Sequence, residues 1–254
     1  MLERLASAPQ GLTVTEIALA MRVNKAIAFR VLAGLNGKGY VHQDPLSLRY
    51  RLTLQIAALA FTLIDGLGLE EICQPFLDQL AAETKELVQL AVVDGNDMIF
   101  VARAEGDQGV KVTPLIGRRV ALHASAGGKV WLASLPEQEA IRLARAQGLT
   151  RLTARTLTTT DQLREEWARV RRQGYSTVIR EYWDDVSSVG APVRVGRNQQ
   201  VVAAVSVAGP TMRFGDDRLS SLAPRVIEIA DAIGRVWPRP AGPGAAELVG
   251  HRHG

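Results

Sequence analysis

The sequence predicts a two-domain α+β protein: a small helical domain with a two-stranded wing, a linking helix, and a larger α/β domain. Charge is one basis for this prediction. Residues 1–52 hold seven Lys and Arg against three Asp and Glu, whereas the rest of the chain holds 23 of each sign. Apolar spacing is the other basis, because helical and strand-like periods both recur along the chain. A basic module joined to a neutral one is typical of a protein that binds nucleic acid with one part only.

Residues 1–52 are predicted to form three short helices. The first helix ends before the Pro9-Gln10-Gly11 break. The second begins near Thr13 or Thr15, either of which is a good N-cap, and runs to residue 21. The third runs from Lys25 to about residue 35, is ended by glycines at 37 and 39, and has apolar residues at helical spacing: Ile27, Val31, Leu32 and Leu35.

Two strands are predicted next, at residues 40–42 and 50–52, around the turn-rich tip Asp44-Pro45-Leu46-Ser47. Three helices followed by a two-stranded wing are the elements of a winged helix-turn-helix. Residues 53–68 are predicted to form a linking helix, ended by Gly66 and Gly68.

The remaining elements alternate between helices and strands, and they define an α/β domain over residues 69–237. The Pro- and Gly-rich segment 238–254 is predicted to be a disordered tail. The predicted elements of the domain are the helix 72–86, the hairpin 88–93 and 98–102, the helices 125–133, 138–147 and 162–173, the strands 189–195 and 201–208, and the closing helix 219–236.

The third helix carries the candidate DNA contacts. In a helix-turn-helix the second helix of the pair enters the major groove with its N-terminal residues facing bases and phosphates. Here these residues are Asn24 and Lys25, with Arg30 farther along, and Arg49 and Arg51 on the wing could reach the adjacent backbone. The alternative is a solvated helix face, and the charge partition together with the wing favours DNA.

These residues resemble those of one known family. In the first 52 residues the resemblance to the IclR-type bacterial transcription regulators lies in Thr15-Glu16-Ile17-Ala18, Lys25, Arg30-Val31-Leu32, Leu35, Gly39-Tyr40-Val41 and Tyr50-Arg51-Leu52. In the second domain it lies in residues 123–129, Leu132-Ala133, Gly174-Tyr175, Glu181, Ala191-Pro192-Val193 and residues 204–210. The ordered set spans residues 2–237.

The resemblance implies a DNA-contacting set of Thr15, Asn24, Lys25, Ala26, Ile27, Arg30, Arg49 and Arg51. This sequence departs from the family in two ways. Ala26 and Ile27 stand where relatives usually have Ser-Thr, which removes two polar contacts and would weaken or redirect recognition. The chain also begins where the family's first helix is already under way, so we expect either a longer native N-terminus or weaker DNA binding.

For the second domain the resemblance implies a GAF-like α/β effector domain, a small metabolite ligand, often a carboxylic acid, and a homodimer or tetramer. The residues agree in kind. In Ala126-Gly127-Gly128 the missing side chains let backbone N–H groups approach a ligand, and the following helix adds its positive end. The alternative is that these glycines only permit close packing of helix on sheet.

By resemblance, the effector pocket is lined by Ala126, Gly127, Val178, Val186, Ser188, Ser206 and Ala208. Ser206 is expected either to donate a hydrogen bond to a ligand carboxylate or to bond only to backbone. Relatives often carry an acidic residue at the position of Val178, a cysteine at that of Ser188 and a second serine at that of Ala208. We therefore expect a pocket for a larger, partly apolar or aromatic carboxylate rather than for glyoxylate.

The sequence gives little support for an enzymatic activity. We expect neither catalytic residues, nor a metal, nor a cofactor. His123 is expected to be packed or hydrogen-bonded, Cys73 to be a small core residue, and Lys129 to pair with an acid or a carbonyl. The acidic residues Glu181, Asp184 and Asp185 are expected in a solvated loop rather than at a metal.

The location of the protein follows from three further features. The single cysteine excludes an internal disulfide and suits a reducing cytoplasm. The apolar run from Leu54 to Leu69 is interrupted and shorter than the roughly 20 residues of a membrane span. The chain opens with no export leader. We therefore expect a cytoplasmic regulator without a membrane partner, and the rival class is a small-molecule-binding protein or minor enzyme whose N-terminal domain no longer binds DNA specifically.

Overall fold

The computed structural model describes residues 1–238, and the chain forms two compact units, Met1–Leu67 and the residues from Gly68 onward. The predicted disordered tail, apart from Pro238, lies outside the described residues. The two units have the predicted α+β architecture, and each is described by itself. No helix in the described part of the chain is long and apolar enough to cross a membrane.

The first unit contains three short helices, a two-stranded antiparallel wing and a fourth helix. Its core consists of Leu5, Ile17, Ala18, Ala28, Leu32, Val41 and Tyr50. The elements are α1 (Leu2–Ala6), α2 (Val14–Met21), α3 (Lys25–Gly37), β1 (Val41–Gln43), β2 (Tyr50–Leu52) and α4 (Gln55–Leu67).

Helix α2 begins with a capping box, which identifies Thr13 rather than Thr15 as the N-cap. Thr13 Oγ1 accepts a hydrogen bond from the backbone N–H of Glu16, and the Glu16 carboxylate accepts one from the backbone N–H of Thr13 at 2.7 Å. Both groups would otherwise be left unpaired at the helix end.

Helix α3 packs on the core through only some of the apolar residues that recur along it. Ala28 and Leu32 are buried, whereas Ile27 and Val31 are 41% and 45% exposed. Because successive residues are rotated by about 100° around a helix, Ile27 and Val31 lie off the side that Ala28, Leu32 and the half-buried Leu35 share. The helix ends at Gly37, with Lys38 as its C-cap and Gly39 beyond it at a positive φ, which agrees with the predicted end at these two glycines.

The second unit is a five-stranded antiparallel sheet in the order β4-β3-β7-β6-β5. Helices α5 and α9 share one hydrophobic core with the strands, and α6, α7 and α8 share a second. The elements are α5 (Leu69–Thr84), β3 (Leu87–Asp94), β4 (Asp97–Ala104), α6 (Ala126–Ser134), α7 (Glu137–Gln147), α8 (Thr160–Gln173), β5 (Ser176–Ile179), β6 (Val186–Val195), β7 (Gln200–Pro210) and α9 (Asp216–Val236). Strand β5 was not predicted.

Alternation along β7 directs its side chains to two different sides of the sheet. Val205 and Val207 belong to the core shared with α5 and α9, whereas Ala204 belongs to the core shared with α6. Ser206 and Ala208 follow Ala204 at intervals of two and therefore share its face. Their side chains are small, which leaves room for a cavity beneath the start of α6.

Candidate functional site

The exposed side of α3 presents the residues that were predicted to contact DNA. Lys25, Ala26, Ile27 and Arg30 are all exposed. Asn24 is the N-cap, and its Oδ1 accepts a hydrogen bond from the backbone N–H of Ile27 at 2.8 Å. At about 100° per residue, Ala26 and Arg30 lie nearly opposite the buried Ala28. The N-terminal half of the helix therefore offers two cations on a surface that the core does not use.

The same side of α3 is built from small residues. A Cβ added at Gly34 or Gly37 would meet no heavy atom within 4 Å, so packing inside the unit does not require either glycine. A glycine inside a helix costs about 1 kcal/mol relative to alanine. The glycines leave a low surface from which Arg30 projects, and such a surface can approach another macromolecule closely.

The wing and α2 hold the remaining predicted DNA contacts. Thr15 and Arg51 are exposed. Arg49 instead donates to the Gly11 carbonyl at 2.8 Å and pairs with Glu16 at 3.2 Å, so its guanidinium joins the wing to the start of α2. Arg49 thus has a structural role in the first unit, whereas Arg51 is available to a partner.

One cavity brings together the seven residues that were predicted to bind an effector. The cavity has a volume of about 50 Å³. The seven come from four elements and comprise Ala126 and Gly127 of α6, Val178 of β5, Val186 and Ser188 of β6, and Ser206 and Ala208 of β7.

The start of α6 supplies backbone donors to this cavity. Ser125 Oγ accepts from the N–H of Gly128 at 3.1 Å, and the Ser125 carbonyl accepts from the N–H of Lys129 at 3.0 Å. No acceptor in the described chain takes the N–H groups of Ala126 and Gly127. These two groups stand at the positive end of the helix, where an anion is favoured.

The two glycines after Ala126 differ in what they do. A Cβ at Gly128 would lie 2.4 Å from Leu122 Cα, so close packing explains this glycine. A Cβ at Gly127 would lie 3.4 Å from the Cβ of Ala204, which is ordinary contact. Packing therefore explains why residue 128 is a glycine. It does not require a glycine at position 127, where the absence of a side chain would give a ligand access to the backbone.

Sequence reasoning missed about half of the cavity wall. Three of the missed residues are aromatic, and the rings of Tyr182 and Trp183 meet edge to face with centroids 4.9 Å apart. Gln89 had a detectable signal, because it is a polar residue inside the apolar strand β3. The missed lining residues are Gln89, Phe100, Val112, Leu115, Ala124, Ser125, Tyr182 and Trp183.

A larger cleft adjoins this cavity. The cleft has a volume of about 560 Å³ and is open to solvent. It shares Val112, Trp183 and Val186 with the smaller cavity as lining residues. Movement of these three side chains would therefore join the two spaces.

A buried ion-pair network lies beside the cavity. Lys129 Nζ is 2.6 Å from Glu181 Oε1 and 3.4 Å from Glu166 Oε1, and Lys129 is 1% exposed. Burial raises the pKa of Glu181. Burial acts in the same direction on Glu166, but hydrogen bonds from Arg169 and the charge of Lys129 hold the pKa of that carboxyl below its usual value.

The prediction of a solvated acidic loop was wrong for Glu181 and holds for its neighbours. Glu181 is 9% exposed, because the buried Lys129 requires a carboxylate partner in the core. Asp184 and Asp185 are exposed. The expectation that Lys129 pairs with an acid is confirmed.

The residues considered as catalytic have structural roles. His123 is buried, and its Nε2 donates to the carbonyl of Thr150 at 2.9 Å. Burial raises the pKa of the Cys73 thiol to about 11, so this thiol stays protonated at neutral pH and is a poor nucleophile.

Comparison with protein families matches both units. Residues 61–235 match the family model described as "Bacterial transcriptional regulator IclR C-terminal". Residues 1–45 match the model described as "IclR helix-turn-helix domain".

Individual relatives cover nearly the whole chain. The HTH-type transcriptional regulator KipR of Bacillus subtilis is 31% identical over 225 residues, 89% of each chain. An IclR family transcriptional regulator from Brucella abortus, of known structure, has 27% identity and a TM-score of 0.76, covering 93% of this chain and 90% of that one. An IclR homologue from Microbacterium hydrocarbonoxydans, solved in complex with 4-hydroxybenzoate, has 22% identity and a TM-score of 0.69, covering 88% of this chain and 91% of that one.

Proposed function

Because the chain belongs to the IclR family of bacterial transcriptional regulators, we propose that it binds an operator through α3 and its wing and responds to a small organic acid. The observation that carries the proposal is the cavity at the start of α6, where unpaired backbone donors meet the polar side chain of Ser206. Ligand binding there would change the affinity of the protein for DNA, and DNA would change the affinity for the ligand by the same factor.

The cavity supports an aromatic carboxylate as the effector. The two N–H groups of α6 and the Ser206 hydroxyl can hold the acid group, and Phe100, Tyr182 and Trp183 offer aromatic surface to a ring. Opening of the wall that the cavity shares with the larger cleft would give an aromatic ring more space. The 4-hydroxybenzoate bound by the Microbacterium homologue makes that acid a suitable probe.

We further propose a cytoplasmic homodimer or tetramer. A palindromic operator requires paired recognition helices at a fixed separation. Helix α4 exposes Leu59, Phe61 and Leu63, and an apolar stretch of this kind favours contact with a second copy of the chain.

The proposed DNA contacts can be tested by fluorescence anisotropy with the gene's own upstream intergenic DNA and a scrambled duplex. We expect selective binding of the upstream DNA. Lys25→Ala and Arg30→Ala should each weaken binding and reduce the slope of log affinity against log salt by about one per subunit, because each loses one phosphate contact.

Lys38→Ala provides the matched control, since Lys38 is exposed but is the C-cap of α3, roughly 20 Å from Lys25 along the helix axis. We expect its salt slope to equal that of the unchanged protein. Equal, weak binding of both duplexes would favour the alternative function, a small-molecule-binding protein that no longer recognises DNA. Ala26 and Ile27 support this alternative, because their side chains carry no hydroxyl that could bind a phosphate.

A further inference from the structure

Gln89 is a buried polar residue with an unsatisfied donor in the cavity wall. It is 5% exposed, and its Nε2 has no hydrogen-bond partner among the residues that the structure describes. Its neighbours in β3, Val88 and Leu90, are fully buried apolar residues. A buried amide donor without a partner destabilises the protein by itself, so the group calls for a partner from outside the chain.

The register of the sheet places Gln89 beside the other donors of the cavity. Gln89 is paired with Ser206 across β3 and β7, and side chains so paired lie on one face with Cβ atoms about 5 Å apart. Ser206 is paired in turn with Gly190, where an added Cβ would lie 3.0 Å from the Cβ of Ala126. A short path across the sheet therefore connects Gln89 to the start of α6.

The donors around the cavity match the acceptor capacity of one carboxylate. An ionised carboxyl group has two oxygens and about four lone-pair sites. The cavity offers the N–H groups of Ala126 and Gly127, the hydroxyl of Ser206 and the amide of Gln89. No Lys, Arg, Asp or Glu is among the described residues that line it. A carboxylate removed from water at this place must therefore be satisfied by neutral donors alone.

We propose that Gln89 binds the effector's carboxylate and selects acids over uncharged molecules of the same shape. Its Nε2 donates to a carboxylate oxygen together with Ser206 and the first N–H groups of α6. This inference rests on the proposed effector function. It adds a specificity-determining residue outside the set expected from the sequence.

Calorimetric titration of the full chain tests the proposal. The probes are benzoate, 4-hydroxybenzoate, glyoxylate and, as the uncharged analogue, benzyl alcohol. We expect Gln89→Leu to bind benzoate or 4-hydroxybenzoate about ten- to a hundredfold more weakly, because a hydrogen bond to a charged acceptor is lost. Its affinity for benzyl alcohol should stay unchanged, and Gln138→Leu, on the exposed surface of α7, should bind every probe as the unchanged protein does.

Two further measurements separate ligand binding from folding. Without ligand, Gln89→Leu should have a melting temperature equal to or above that of the unchanged protein, since it removes an unpaired buried amide. Should this variant fail to fold, Gln89→Glu keeps the size of the side chain and replaces the donor with an acceptor. Its affinity for benzoate should fall by at least the same factor.

The outcomes distinguish this inference from the proposed function. Wild-type affinity of both Gln89 variants for benzoate would overturn the role of Gln89 and leave the effector proposal standing. Equal losses of benzoate and benzyl alcohol would show that Gln89 only shapes the cavity, which also overturns the inference. If the unchanged protein bound none of the three acids, the effector proposal would be wrong and the role of Gln89 with it.

Discussion

His123 and Lys129 are buried basic side chains near the start of α6, and their surroundings differ. Lys129 is enclosed by Glu181 and Glu166. His123 has the Thr150 carbonyl on Nε2, while its Nδ1 has no partner in the described chain. Burial lowers the pKa of His123, and although the bond to Thr150 opposes this effect, the charge of Lys129 adds to it. The imidazole is therefore held in its neutral form.

This setting predicts a pH-dependent stability for the second unit. In the unfolded chain the imidazole takes up a proton near its ordinary pKa of about 6.5, whereas the folded protein resists protonation to lower pH. The free energy of unfolding should therefore fall as pH decreases from 7.5 to 5.5. Urea titrations should show a flatter profile for His123→Gln.

The control for this measurement is His42→Gln, because His42 is exposed on the wing strand β1. It should leave the pH profile of the second unit unchanged. An identical profile for His123→Gln and the unchanged protein would contradict the assignment to His123.

Among the secondary-structure elements, α2 shows how a local motif connects to its surroundings. Thr13 and Glu16 form the capping box, and Glu16 also pairs with Arg49 next to strand β2. Thr15 lies two residues after Thr13, in the first turn of α2, and is exposed. Of the two threonines, equally good N-caps by sequence, only Thr13 caps the helix.

Replacing the two threonines should separate stability from DNA binding. Thr13→Ala should lower the free energy of unfolding of the first unit by about 1 kcal/mol, because the helix end loses its cap. Thr15→Ala should change it by less than about 0.5 kcal/mol and should weaken operator binding. Urea denaturation and anisotropy measure the two effects, and comparable destabilisation by both variants would place the start of α2 elsewhere.

The secondary-structure elements also show which parts of the fold the sequence could predict and which it could not. Most helices and strands were predictable because their apolar period is local, but the two apolar residues of β5, Val178 and Ile179, are adjacent and do not alternate with polar ones. The core-facing side of α3 could not be read from the sequence, because its apolar residues fit two faces of the helix. Residues 105–125 hold no helix or strand, yet they supply Val112 and Leu115 to the cavity, and only tertiary packing decides which residues of such a segment converge.

At the scale of the whole molecule, each proposed site lies within one compact unit. The proposed DNA contacts belong to Met1–Leu67, and the cavity belongs to the unit that begins at Gly68. Each unit has its own hydrophobic core. Local packing can therefore hold one unit folded while the other opens.

Differential scanning calorimetry should resolve two unfolding transitions. A ligand that binds only the native second unit should stabilise that transition by about 2.7 kcal/mol at a hundred times its Kd. With 4-hydroxybenzoate we expect the melting temperature of that unit to rise and that of the first unit to stay. Operator DNA should raise the melting temperature of the first unit. A single transition that moves with either ligand would show that the chain unfolds as one cooperative body.

The close contact between Gly190 and Ala126 has a consequence for the entropy of ligand binding. The missing side chain at Gly190 lets the first residue of α6 rest on β6, and Ser176 Oγ donates to the Ala126 carbonyl at 2.7 Å. The backbone donors are therefore ordered before a ligand arrives, and binding spends little conformational freedom on them.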